Sequence, residues 1–276
     1  MFRIASIVVL TLVVAMLASM AEGQARNRTN QVRALYVPPK NPAHEPIYRT
    51  IKEARVLERL SQMLSPLRLP RRLTLKTEGC DGVVNAYYED DAVLICYEYL
   101  AFIVESAPKE TTLAGVTTKA ALAGPTVDVF LHEVGHAVFD MLQIPVLGRE
   151  EDAADLFSAY LILRLAPAAA QNLIKGVAFL GAKEAMAAQK ENLSLRDFAD
   201  EHGLPGQRYF NVLCLAYGAN PKRFAEAVTV GQLPRERAEG CEDEYKQFDR
   251  AYRKLIRPYV DQRLARKVRA RNWLNL

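Results

Sequence analysis

The chain has 276 residues, of which half are hydrophobic and a quarter charged, and its formal net charge is +4. This balance is typical of a globular protein and excludes a chain that is disordered throughout, and the length suits one or two domains with a substantial core. No nucleic-acid-binding motif accompanies the small positive charge, so we expect no nucleic-acid partner.

The N-terminus has the features of a secretory signal. Arg3 precedes a charge-free, mostly apolar run from Ile4 to Met20, which small residues follow. This predicts a cleaved signal peptide over residues 1–23, a flexible leader over 24–31 and a folded domain over 32–276. An uncleaved membrane anchor is the alternative, because the run approaches the roughly 17 to 25 residues that span a bilayer. We therefore expect a secreted or periplasmic protein.

The first part of the folded chain is predicted to form a small sheet with one covering helix. Apolar spacing over residues 47–64 favours an amphipathic helix, and the acidic turn at 89–91 separates the two strands of a hairpin. The predicted strands cover residues 32–37, 73–76, 83–88 and 92–96. We expect an α+β fold with a short, mainly antiparallel sheet in an N-terminal lobe (about 32–143) and a helical C-terminal lobe (about 144–276).

An H-E-x-x-H string lies in an apolar, helix-periodic run that begins near Val127. On a helix this spacing lets His132 and His136 present two imidazoles to one ion, and Glu133 then flanks the metal without binding it. Zinc held by three protein ligands lowers the pKa of its bound water to about 7, and a neighbouring carboxylate can take that proton. The spacing fits peptide hydrolysis, although two histidines four residues apart also occur by chance.

A second acidic string strengthens this interpretation. Glu151 opens the next helical pattern and can supply the missing third ligand. Asp155 lies one helical turn beyond it, where a carboxylate can accept the outer N–H of a metal-bound histidine. The residues therefore predict one Zn²⁺ per chain, bound by His132, His136 and Glu151, with Glu133 as general base.

These strings resemble the gluzincin metallopeptidases, in which H-E-x-x-H is followed by E-x-x-x-D. Phe139 and Leu142 stand where the metzincins have Gly and His, which excludes that alternative. Together with Asn85-Ala86-Tyr87-Tyr88 and the cysteines, the chain most resembles a bacterial secreted family of metallopeptidases of unknown function. The resemblance implies a zincin-like fold with the metal helix along the floor of a cleft.

The same resemblance implies further site residues. Asn85 and Ala86 are similar to the N-A-(F/Y) edge-strand motif with which thermolysin-like and neprilysin-like enzymes hold substrate backbone, and an edge strand can pair with an extended peptide. Thermolysin-like enzymes stabilise the oxyanion with a histidine and a tyrosine or arginine, for which His202, Tyr209 and Arg208 are the candidates. His202 also precedes a glycine, as histidines at helix ends often do.

The four cysteines are typical of an oxidising compartment, since none is arranged as C-x-x-C. Three pairings can form from four cysteines. The local pairing, Cys80 with Cys96 and Cys214 with Cys241, is the simplest, and each closed loop would stabilise the fold by about 3 kcal/mol.

The C-terminal segment is helical in pattern and strongly basic. Residues 250–276 contain nine Lys or Arg against Asp261 alone. This charge fits either contact with an anionic membrane surface or a solvated face on a packing helix.

The leading hypothesis is a secreted or periplasmic zinc endopeptidase that acts on peptide or protein substrates. The first alternative is a catalytically silent zincin-fold binding or scaffold protein associated with the cell envelope, against which the presence of Glu133 argues. The second alternative makes the basic C-terminus the working part of an envelope-associated binding module. Oligomeric state, substrate preference and an inhibitory pro-segment leave no signature in the sequence.

Overall fold

The computed structural model of the protein describes residues 31–191, 193–271 and 273. The predicted signal peptide and nearly all of the predicted leader lie outside these residues.

The described chain contains four strands and eleven α-helices. The strands are β1 (Val32–Tyr36), β2 (Leu73–Glu78), β3 (Ala86–Glu89) and β4 (Ala92–Cys96). The helices are α1 (Glu45–Glu53), α2 (Val56–Met63), α3 (Tyr97–Ser106), α4 (Thr118–Met141), α5 (Glu150–Leu163), α6 (Pro167–Ala188), α7 (Pro205–Ala219), α8 (Ala225–Thr229), α9 (Arg235–Ala238), α10 (Cys241–Leu255) and α11 (Gln262–Ala270). Short 3₁₀ turns cover Pro42–His44, Leu195–Ala199 and Arg257–Tyr259.

The four strands form one mixed sheet in the order β1-β2-β4-β3. The predicted α+β class is confirmed, but the expectation of a mainly antiparallel sheet is wrong, because β1 and β4 both pair with β2 in parallel. Helices α1 and α2 carry the chain back between β1 and β2, which makes a parallel pairing accessible. Only the hairpin of β3 and β4 is antiparallel, and its turn places Asp90 and Asp91 at φ 49° and 59°, as a two-residue type I′ turn requires.

Two predicted helix boundaries differ from those in the structure. The helix expected over 47–64 is divided into α1 and α2 at Arg55, which adopts a left-handed φ of 54°. Helix α4 begins at Thr118, nine residues before the predicted start, and contains Pro125. The side chain of Thr117 caps it. A proline inside a helix removes one backbone hydrogen bond, and close packing of this half of α4 offsets that loss.

That packing brings the backbones of α4 and α6 into direct contact. A Cβ atom at Gly176 would overlap the carbonyl oxygen of Ala120, and one at Gly124 would lie 2.5 Å from the carbonyl oxygen of Leu173. Only glycine fits at these two positions. The N-terminal half of α4 is thus held against α6 by backbone contact.

Helix α4 lies at the centre of the core. It packs against β3, β4 and α3 on one side and against α5 and α6 on the other. The largest buried apolar cluster includes Leu75 of β2, Phe130 of α4, Phe157 of α5 and Leu173 of α6. It therefore contains residues from both predicted lobes, and their boundary stays a prediction.

Two disulfides fasten the fold. Cys80 is bonded to Cys96, which ties the loop before β3 to the end of β4, and Cys214 is bonded to Cys241, which joins α7 to α10. Both are the local pairings, and they are typical of an oxidising compartment. Among the helices of the described ranges, none has the length and apolar character to cross a bilayer.

Candidate metal centre

Helices α4 and α5 bring His132, His136 and Glu151 together. His132 Nε2 lies 3.0 Å from a carboxylate oxygen of Glu151 and 3.2 Å from His136 Nε2. His136 Nε2 lies 3.4 Å from the other oxygen of Glu151. The three side chains predicted to bind metal thus present their donor atoms to one point.

The close approach of α4 and α5 depends on small residues. Gly135 lies between the two histidines, and a Cβ atom there would be only 3.3 Å from the Cα of Ala154 on α5. Glu151 and Asp155 flank this contact on α5. The crossing point of the two helices therefore lies directly behind the histidines.

Each histidine is held by a carboxylate at its outer nitrogen. His132 Nδ1 lies 2.8 Å from Asp155 Oδ1, and His136 Nδ1 lies 2.8 Å from Glu150 Oε1. Because ionised carboxylates only accept hydrogen bonds, each Nδ1 is expected to carry the proton. In the neutral rings both Nε2 atoms then direct lone pairs toward each other and toward Glu151. This is the tautomer in which histidines bind metals.

The spacing of the donors fits a tetrahedral ion. With Zn–N distances of about 2.0 to 2.1 Å, two ligands at a tetrahedral angle lie about 3.3 Å apart. The three separations in this site are 3.0, 3.2 and 3.4 Å. The donor set, two imidazoles and one carboxylate, is also one of those that proteins use for catalytic zinc.

The electrostatics of the site favour a cation at this point. Burial lowers the pKa of His132, but its hydrogen bonds with Asp155 and Glu151 outweigh that effect and raise the pKa to about 10. Burial raises the pKa of Glu151, yet hydrogen bonds with His132, His136 and His202 bring it well below its usual range. A proton on the histidines and a metal ion would satisfy the same carboxylate, so metal binding is expected to displace protons.

Glu133 faces the site without joining the donor cluster. Its side chain is buried, and it takes no hydrogen bond from the described residues. Burial raises its pKa, although His132 and His136 lower it in part. A buried carboxyl group whose pKa lies above its usual value is suited to accept and release a proton.

His202 completes the surroundings of Glu151. Its Nε2 lies 3.0 Å from Glu151 Oε2, and its Nδ1 lies 3.2 Å from Asp200 Oδ1. Donor atoms of His132, Glu151 and His202 lie within 4.8 Å of one another, so these three residues could also hold a metal ion. The side chain of His202 is 42% exposed, whereas that of His136 is 14% exposed. The structure therefore offers two overlapping donor sets.

The other two oxyanion candidates lie elsewhere. Arg208 forms a bidentate pair with Asp155, with Nε–Oδ2 and Nη2–Oδ1 distances of 2.7 and 2.6 Å. Tyr209 packs against Gly181 of α6 and against the ring of Phe210. Of the three candidates, only His202 contacts the donor cluster.

Asn85 and Ala86 lie at the free edge of the sheet. The carbonyl of Asn85 accepts a hydrogen bond from the Cys96 amide at 3.1 Å, and Ala86 pairs with Ile95 on β4. Strand β3 is the edge strand beside α4. Tyr88 fastens it to the end of that helix, since its hydroxyl donates to Asp140 at 2.8 Å.

Two carboxylates that orient histidines were not among the site residues predicted from the sequence. Glu150 immediately precedes the predicted ligand Glu151, and Asp200 lies two residues before His202. A metal-bound histidine needs an acceptor at its outer nitrogen. Applying that requirement to His136 and His202 would have pointed to Glu150 and Asp200 as candidate acceptors.

A family model described as "Putative metallopeptidase" matches residues 36–256. The matched region contains every candidate site residue and all four cysteines, and it ends before α11. No curated protein and no solved structure matches the chain.

Proposed function

The chain belongs to the family described as "Putative metallopeptidase", and from this premise we propose that it is a zinc-dependent endopeptidase, secreted or periplasmic. The observation that carries the proposal is the convergence of His132, His136 and Glu151, whose donor atoms lie 3.0 to 3.4 Å apart. The two disulfides support a compartment outside the cytoplasm.

In the proposed reaction, His132, His136 and Glu151 would hold a zinc ion. Bound zinc would supply Lewis-acid polarisation of the scissile carbonyl and would lower the pKa of a water molecule. Glu133 would take a proton from the attacking water, whose oxygen bonds to the carbonyl carbon, and would deliver that proton to the nitrogen of the leaving amine as the C–N bond breaks. Asp155 and Glu150 keep the histidines in the metal-binding tautomer.

His202 is the group we assign to the developing oxyanion. Its ring is exposed toward the cleft, and Asp200 fixes its orientation from the Nδ1 side. A hydrogen bond that strengthens as negative charge develops on the carbonyl oxygen lowers the barrier. Arg208 acts instead as a positioning residue through Asp155, and Tyr209 supports the helix that carries Arg208.

Strand β3 is the proposed substrate-binding strand. Its outer edge is unpaired within the described chain, so an extended peptide can add to it as a fifth strand. Asn85 is exposed at the start of this edge, where its side chain can reach substrate backbone. Because β3 lies beside α4, this pairing would direct the peptide past the histidines.

We also propose that α11 attaches the enzyme to anionic membrane surfaces. Arg263, Arg266 and Lys267 are exposed on this helix, and Leu264 is exposed between them. Basic side chains near a membrane surface each contribute about 1 kcal/mol of attraction. Sedimentation with phosphatidylserine-containing vesicles, compared with neutral vesicles, tests this attachment, and replacing the three basic residues by glutamine should abolish it.

The decisive experiment measures zinc content and peptide cleavage together. Glu133→Gln should retain about one zinc per chain, while kcat falls by about 10² to 10⁴, the contribution of general base catalysis. Glu105→Gln, which changes an exposed glutamate on α3, is the matched control and should behave like the wild type. If the zinc-loaded wild type cleaves a broad peptide library no faster than Glu133→Gln, the scaffold hypothesis replaces the enzyme.

A further inference from the structure

A cavity of about 860 Å³ lies beside the metal centre, between α3, α4, α6 and α7. It shares His202 and Asp155 with the site described above, so it adjoins the proposed active site. Five carboxylates and two guanidinium groups line it: Asp128, Asp155, Glu184, Asp197, Asp200, Arg196 and Arg208. The cavity therefore has an excess of negative charge.

Most of these carboxylates already have partners in the protein. Asp155 is paired with Arg208, and Asp128 accepts a hydrogen bond of 2.5 Å from Ser158. Asp197 and Asp200 accept from residues of their own loop. Glu184 differs, because no hydrogen bond or ion pair to it is present among the described residues.

The charge of Glu184 is poorly compensated where it lies. Burial raises its pKa, and the positive charge of Arg208 offsets this only in part, since Asp128 and Asp155 act in the opposite direction. Arg208 is itself neutralised by its bidentate pair with Asp155. A cation that entered the cavity would stabilise the ionised form of Glu184.

The position of Glu184 favours a long cationic side chain over a terminal amine. It lies on α6, and the groups that act on its charge are Arg208, Asp128 and Asp155, none of which is a proposed metal ligand. Glu184 lines the cavity and the three proposed zinc ligands do not, so a cation bound to Glu184 would lie to the side of the metal centre. The apolar wall, which includes Val177 and Leu180, can contact the methylene groups of such a side chain.

We propose that this cavity is a specificity pocket for a lysine or arginine side chain of the substrate, with Glu184 as the residue that determines the specificity. This proposal rests on the proposed endopeptidase function, because it assigns the class of substrate that the enzyme would take. It adds a requirement that hydrolysis alone does not make: a basic residue close to the cleaved bond.

Binding can be measured without turnover in a Glu133→Gln background. The probes are peptides in which one position carries Lys, Arg or norleucine, placed in turn at each position of an alanine-based sequence, with affinity measured by calorimetry. We expect the Lys or Arg peptide of the best position to bind more tightly than its norleucine counterpart. Adding Glu184→Gln should lower the affinity for the basic peptide by about 10- to 100-fold, as expected for losing a hydrogen bond to a charged group. The norleucine peptide should be unaffected.

Glu191→Gln is the matched control, since it removes an exposed carboxylate just beyond the end of α6. It should leave both affinities unchanged. In the active protein the same preference should appear in kcat/KM. Glu184→Gln should lower kcat/KM for the basic substrates only.

The outcomes separate this inference from the function on which it rests. Equal affinity for basic and norleucine peptides at every position, or equal weakening by Glu184→Gln and Glu191→Gln, would overturn the specificity pocket even if the protein cleaves peptides. Selective binding that depends on Glu184, in a protein that cleaves nothing, would support the pocket and reject the endopeptidase.

Discussion

Asp155 holds His132 from the side opposite the proposed metal, with 2.8 Å between Asp155 Oδ1 and His132 Nδ1. Arg208 binds both oxygens of the same carboxylate. Burial would raise the pKa of Asp155, but Arg208 and His132 together lower it to about 2. The carboxylate is therefore ionised at any pH at which the enzyme would work, and its position is fixed from two directions.

Asp155→Asn should weaken zinc binding by about 10- to 100-fold, the range typical of groups that orient a metal ligand. Asparagine retains the size of the side chain but loses the charge that holds the His132 proton at Nδ1. Competition with a chelator measures the affinity. Asp152→Asn, on the same helix and paired with Arg149, is the control. Equal affinities of the two variants would contradict the assigned role.

Zinc stoichiometry distinguishes the two donor sets. His136→Ala should lose most of the metal, whereas His202→Ala should retain about one zinc per chain and lose kcat instead. Elemental analysis of the purified variants provides the measurement. Retention of zinc by His136→Ala together with its loss from His202→Ala would assign the third ligand to His202. Stoichiometric zinc in the double variant His132→Ala, His136→Ala would exclude the site altogether.

Asp128 should make the metal-free protein less stable as the pH rises. Burial raises its pKa to about 6, and the bond from Ser158 offsets this only in part. The raised pKa means that the folded state favours the protonated acid, so the stability present below about pH 4 is lost as the pH rises through 6. The unfolding free energy of Asp128→Asn, relative to that of the wild type, should increase by up to about 3 kcal/mol as the pH rises from 4 to 7. Urea unfolding across this range measures the difference, and a constant difference would contradict it.

The two disulfides should differ in their effect on activity. Replacing either pair by alanine should cost about 3 kcal/mol in unfolding free energy, because each closes a loop of the unfolded chain. Loss of Cys80–Cys96 should also raise KM, since this bond secures the loop that leads into β3. Loss of Cys214–Cys241 should leave KM unchanged. Denaturation curves and steady-state kinetics on both variants test the contrast, which fails if KM rises equally in both.

Gly176→Ala should destabilise the protein by more than about 3 kcal/mol, because its methyl group would overlap the backbone of Ala120 and push α4 away from α6. Gly181→Ala, five residues further along α6, is the matched control. Its nearest neighbour would be the ring of Tyr209 at 3.5 Å, so it should be neutral or stabilise the helix by up to about 1 kcal/mol. Thermal unfolding of the two variants measures the contrast, and similar melting temperatures would contradict the backbone contact.

The local parts of the candidate site could be predicted from the sequence. His132 and His136 lie one turn apart on one helix, and Glu151 and Asp155 lie one turn apart on the next, so helical geometry alone relates the members of each pair. The local disulfide pairing follows from similar proximity. What brings the two pairs together is the Gly135 contact with Ala154, and a sequence shows the glycine without showing its neighbour.

The parts that failed depend on contacts distant in the chain. The parallel pairing of β1 with β2 joins residues about 40 positions apart, for which hydrophobic alternation gives no direction. The early start of α4 contradicts the local effect of Pro125, and the compensating contact comes from Gly176 on another helix. The pairing of Arg208 with Asp155 likewise depends on how α7 packs beside α5.

The Cys80–Cys96 bond is expected to affect substrate binding but not metal binding. All proposed zinc ligands lie on α4 and α5, beyond the loop that this disulfide closes. A chain that folded under reducing conditions would present the same histidines and carboxylates, but its edge strand would lack the anchor that the disulfide provides. We expect such a chain to bind zinc normally but to bind substrate more weakly. Formation of this disulfide is therefore expected to improve peptide binding at β3 without changing the residues proposed to bind zinc.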